Sequence, residues 1–80
     1  MKIYNEHGKL TGLACNSCGR VILREREIWK EDFISIQKEW GYFSQKDGIR
    51  QTFDLCEKCC DKLLEGFQIP AETEEMTELV

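Results

Sequence analysis

Two C-x-x-C pairs separated by 37 residues, an alternating apolar pattern broken by Asp-Gly between them, and a helical apolar spacing after the second pair together predict a small α+β, metal-stabilised domain. The pairs are Cys15/Cys18 and Cys56/Cys59, and tetrahedral coordination by four cysteines is the common closed geometry of structural zinc. The fifth cysteine, Cys60, leaves an odd count, which argues against a disulfide framework. A chain of 80 residues buries too little apolar surface to be comfortably stable alone, so one structural Zn2+ is the expected staple. Metal binding to thiolates assembled only on folding adds on the order of 10 kcal/mol.

The segments follow in order. Residues 1–12 read as an N-terminal arm, in which Gly8 and Gly12 interrupt the apolar residues, leading into the first pair as a weak strand or irregular arm. The four-cysteine domain spans 13–70. Its first pair, Cys15-Asn16-Ser17-Cys18-Gly19, has small polar residues between the ligands and a glycine after them. This is the pattern of a zinc knuckle, in which backbone N–H groups point at sulfur and the glycine adopts positive φ. Val21-Ile22-Leu23 leaves the knuckle, and the charged stretch Arg24–Asp32 is open between an extended excursion and a short helical turn.

Phe33–Trp40 reads as a strand with Ile34, Ile36 and Trp40 on one face; Gly41 interrupts it and Tyr42-Phe43-Ser44 resumes it. Asp47-Gly48 suits a tight hairpin turn, and Ile49–Leu55 alternates as the return strand. Asp54 and Glu57 have capping-box spacing for a helix that carries Cys56, Cys59 and Cys60 and then Leu63, Leu64 and Phe67, ended by Gly66 and Pro70. Residues i and i+3 share a helical face, so Cys56 and Cys59 can reach one ion. Residues 71–80 are an acidic tail with four Glu and no base.

Knuckle, β-hairpin and ligand-bearing C-terminal helix, over about residues 13–68, resemble a treble-clef zinc finger. The resemblance implies Cys15 and Cys18 as knuckle ligands and Cys56 and Cys59 as helix ligands. The chain is also similar to short bacterial zinc-finger proteins of unassigned function, through segments such as Trp40-Gly41-Tyr42-Phe43-Ser44 and Phe53-Asp54-Leu55-Cys56-Glu57. That likeness implies no activity, since one fold serves many functions.

The formal net charge of −4 disfavours nucleic acid as a partner. Without the tail, however, the chain carries 11 acidic and 11 basic residues, which keeps a basic finger using Arg20, Arg24, Arg26, Lys30, Lys38, Lys46 and Arg50 as the alternative. No catalytic set can be assembled around the lone His7, so an enzyme is not expected. Rubredoxin-like electron transfer is the weaker third reading, because the second pair opens a helix rather than a second knuckle. The aromatic residues Trp29, Trp40, Tyr42 and Phe43 form the candidate interaction surface for a protein partner or a second copy of the chain. No apolar run is long enough for a membrane span and the first residues lack an apolar leader, so the cytoplasm is the expected location.

Overall fold

In the computed structural model, which describes residues 1–76, the cysteine pairs sit where two antiparallel sheets meet a single helix. The first sheet is a meander of β1 (Lys2–Tyr4), β2 (Leu10–Ala14), β3 (Val21–Glu25) and β4 (Ile28–Trp29), paired in that order. The second is the hairpin of β5 (Phe33–Glu39) and β6 (Arg50–Cys56), and α1 (Glu57–Glu65) follows it directly.

Half of residues 1–12 lie in the first sheet, in β1 and at the start of β2, with a turn between them. Asn5 is the local cause. Its side-chain oxygen accepts the backbone N–H groups of His7 and Lys9, each at 2.9 Å, and Gly8 supplies the positive φ of 78° that turns β1 into β2. Gly12 in β2 allows a close approach to β3, since a Cβ there would lie 2.8 Å from the Ile22 carbonyl oxygen.

The charged stretch after β3 proves to be extended. Glu25 pairs with Ile28, leaving Arg26 and Glu27 as a two-residue turn with φ of 51° and 65°. Positive φ at both positions is the hairpin geometry that favours Asn-Gly, and neither Arg nor Glu prefers it. Replacing Arg26-Glu27 with Asn-Gly is expected to raise stability by about 1 kcal/mol. The urea midpoint of the metal-loaded protein measures this, and an unchanged or lowered midpoint counts against it.

The β5–β6 register runs unbroken from Phe33 opposite Cys56 to Glu39 opposite Arg50. The expected tight turn at Asp47-Gly48 is instead part of a longer loop over residues 40–49, and Tyr42-Phe43-Ser44 do not resume the strand. Two consecutive turns replace the extension, with Ser44 N–H donating to the Gly41 carbonyl and Ile49 N–H to that of Lys46, both at 2.9 Å. Gly48, at φ 86°, lets the chain return, and the Trp40 N–H closes the loop on the Ile49 carbonyl at 2.9 Å.

The core is small: Leu13, Ile22 and Leu55 are buried together with Cys15 and Cys56, and Trp29, Phe33, Phe53 and Cys59 pack around them. α1 buries no residue fully, and Leu63, Leu64 and Phe67 stay substantially exposed. Asp54 does not cap this helix. Its carboxylate is committed inside the fold, and Cys56 is the N-cap, with no side-chain cap bond. Residues 71–76 carry no helix or strand, and 77–80 of the expected tail lie outside the described residues. Among the described residues no helix is long and apolar enough to cross a membrane.

Candidate metal centre

Cys15 and Cys18 lie in the connection between β2 and β3, while Cys56 ends β6 and Cys59 lies in the first turn of α1. Each pair is shaped by its own backbone. In the first, Cys15 N–H donates to the Arg20 carbonyl and Gly19 N–H to the Cys15 carbonyl, both at 2.8 Å, with Gly19 at φ 81°. Arg20 N–H then points at the Cys18 sulfur at 3.4 Å, which is knuckle geometry. In the second, Cys56 is the N-cap residue of α1 and Cys59 follows three residues on, in the first helical turn, so both can reach one ion.

The two pairs are strapped together by Asn16. Its backbone N–H donates to the Asp54 carbonyl at 2.8 Å, and its side-chain oxygen accepts the Asp54 N–H at 2.9 Å. This fixes the knuckle against β6 two residues before Cys56. All four sulfurs consequently lie within 4.8 Å of one another, and Cys18 and Cys56 approach to 3.8 Å. Tetrahedral coordination with metal–sulfur bonds of about 2.3 Å requires sulfur–sulfur edges of about 3.8 Å, so the donors are already close to a coordination sphere. Four cysteines are arranged here to bind a metal ion.

The acid–base character of the thiols reflects their crowding. Burial opposes ionisation of Cys15, but backbone N–H groups of Cys18, Cys56 and Ser17 outweigh it and lower the pKa to about 6. At Cys59 the Ser17 hydroxyl acts downward, yet burial and the crowding of Cys56, Cys18 and Cys15 prevail and push the pKa up to about 12. Four thiolates this close repel one another, and a cation at their centre removes that penalty. Cys15 and Cys56 are buried, Cys59 is half-buried and Cys18 faces solvent. Cys60 is half-buried outside the cluster, in a groove lined by Ile34, Asp32 and Asp61.

Beside the cluster lies a buried charge, the carboxylate of Asp54. Asp54 is 1% exposed; it accepts hydrogen bonds from Lys2 at 2.5 Å, from the Met1 α-amino group at 2.6 Å and from the Ser35 hydroxyl. Burial opposes its ionisation, but these donors prevail and hold its pKa at about 2. Asn16 and Asp54 position the metal ligands without belonging to them.

The candidate interaction residues do not form one surface. Trp29 packs edge-on against Phe33 at 4.6 Å beside the core, with the Arg24 guanidinium 5.8 Å from its ring centre. Trp40 lies at the other end of β5, about 20 Å away along the strand. Its indole N–H donates to Gln51 at 2.8 Å, and the ammonium groups of Lys46 and Lys38 lie 4.5 and 5.5 Å from its ring centre. Tyr42 and Phe43 stand together at the loop, 84% and 99% exposed.

No family model matches the chain, and comparisons with curated proteins and with solved structures return no match either.

Proposed function

We propose that the protein is a non-catalytic zinc-binding module of treble-clef type that presents its hairpin loop to a protein partner. The observation that carries the reading is the four-sulfur cluster, whose spacing suits a single tetrahedral zinc held by Cys15, Cys18, Cys56 and Cys59. Knuckle, hairpin and helix follow in the treble-clef order. Four protein ligands close a tetrahedral zinc and leave no position for substrate or activated water, which supports a structural role. Free thiols suit the reducing cytoplasm. Elemental analysis is expected to find one zinc per chain, with no visible absorbance; iron with visible bands would replace this reading with electron transfer.

The functional surface on this reading is the Tyr42/Phe43 pair. Exposed aromatic rings on a loop closed by its own backbone bonds are low-entropy anchors for a partner's apolar pocket. The double substitution Tyr42→Ala/Phe43→Ala is expected to leave metal content and thermal midpoint unchanged, because neither ring supports the core. Binding of nucleic acid is favoured by one observation, the Lys38 and Lys46 ammonium groups over the ring of Trp40, at the start of the same loop. A single-stranded oligonucleotide titrated at low salt separates the two. Association that weakens steeply with salt and disappears in the double variant would replace the protein-partner reading.

A further inference from the structure

We propose that Cys18 is an oxidation site, and that hydrogen peroxide exchanges the metal staple for a disulfide between Cys18 and Cys56. The proposal rests on the zinc reading above and adds a redox chemistry to the same four sulfurs. Access selects the first residue to react. Cys15 and Cys56 are buried and Cys59 is half-buried, while Cys18 alone of the four is exposed, so a solute in water meets it first. A metal-bound cysteine is a thiolate, and oxidation follows thiolate character and exposure together. Cys60 is half-buried and lies outside the cluster. Distance selects the second residue. The Cys18 sulfur lies 3.8 Å from that of Cys56, although the two are 38 positions apart, and theirs is the one sulfur–sulfur contact among the described residues with hydrogen-bond geometry. The two bonds of the Asn16–Asp54 strap, at 2.8 and 2.9 Å, hold the knuckle against β6 without using the metal.

The chemistry proceeds in two displacements. The Cys18 thiolate attacks one peroxide oxygen, the O–O bond breaks, and the sulfur gives up two electrons to become a sulfenic acid, while the second oxygen leaves as hydroxide and takes a proton from water. The Cys56 thiolate then attacks the Cys18 sulfur; the S–S bond forms, the S–O bond breaks, and the departing hydroxide takes a second proton. One peroxide is reduced to two waters and two thiolates are oxidised to one disulfide. Two of the four donors are consumed, which leaves Cys15 and Cys59 as an incomplete site. The linkage decides what becomes of the fold. A disulfide inside either C-x-x-C pair closes a very short loop and leaves the sheets unconnected, whereas one from Cys18 to Cys56 ties the β2–β3 connection to the end of β6, the same union the metal makes. Cross-links stabilise more as the loop they close lengthens, so the oxidised chain keeps its sheets together without metal.

Tryptic mapping of the full metal-loaded chain, with bound zinc measured before and after millimolar hydrogen peroxide, tests this. Cleavage separates Cys56, in residues 51–58, from Cys59 and Cys60, in 59–62, while Cys15 and Cys18 share residues 10–20 and are told apart by fragmentation. The expected result is release of the bound zinc, loss of two thiols per chain and a link between Cys18 and Cys56. Dimedone, which traps sulfenic acids, should label Cys18 when added with the oxidant. Circular dichroism should persist in the oxidised, metal-free chain and be lost when a reductant is added in the presence of chelator. Cys60→Ser, outside the cluster, should form the same link at the native rate. A link within either C-x-x-C pair, a link through Cys60 or its loss in Cys60→Ser, dimedone on another cysteine, zinc retained after oxidation, or circular dichroism lost on oxidation would each overturn the proposal and leave the zinc reading standing. A chain that holds no zinc before the oxidant is added would overturn both.

Discussion

Stripping the metal with excess chelator is expected to abolish the fold. The buried hydrophobic residues are Leu13, Ile22, Leu55 and two of the ligands themselves, so the core and the metal site are largely one structure. Metal binding on the order of 10 kcal/mol is comparable with the entire stability of a domain of this size, about 5 kcal/mol or somewhat more. Circular dichroism and tryptophan fluorescence should report loss of structure on chelation and its recovery when zinc is restored. Single Ser substitutions should rank by burial: Cys15→Ser and Cys56→Ser unfold the chain at room temperature, while Cys18→Ser, at the exposed corner, retains weaker metal binding. A thermal transition indifferent to chelator would show that the sheets and helix hold together without the ion.

The second large effect is expected at Asp54. Asp54→Asn removes the charge that Lys2 faces, and loss of one partner of a buried pair costs about 3 kcal/mol. The carboxylate titrates at about 2 in the fold against an ordinary 3.8, so between these values the unfolded chain binds more protons. Its contribution is therefore complete above about pH 4, is lost as pH falls toward about 2, and amounts to about 2 kcal/mol. Acid also protonates the cysteine ligands, so native protein and variant must be compared at equal free zinc. Their difference in unfolding free energy should shrink as pH falls from about 5 to about 2. A difference independent of pH would place the variant's defect in packing rather than in charge.

The cysteine pairs, the β5–β6 hairpin and α1 were legible in the sequence because each rests on local signals: ligand type and spacing, alternation, and helical apolar period. What was hidden depends on partners distant in sequence or on residues in unfavoured conformations. Asp54 carries the spacing of a helix cap, yet its carboxylate bonds to Lys2, 52 positions away, and to Ser35. The Arg26-Glu27 turn has no Gly or Asn to announce positive φ, and only the pairing of β3 with β4 selects it. β1 was obscured by its three-residue length, with stability drawn from β2 and from the Asn5 turn. The packing of Phe33 against the Trp29 ring is likewise invisible in the sequence, because it depends on how the two sheets meet. Asn16 resembled a spacer between ligands; its strap to Asp54 becomes visible only when β6 lies beside the knuckle.

The strap and the ion also set the order in which the molecule can assemble. Every strand pair joins sequence neighbours, so the sheets require only short loop closures. Bringing Cys15 to Cys56 closes a much longer loop, at an entropic cost of about 3 kcal/mol. The turns can therefore form within microseconds, while the union of the sheets waits for the distant encounter. Zinc bound early to one pair would hold two ligands ready and leave that encounter as the slow step, making the protein's folding clock the diffusion of one half-occupied site toward the other.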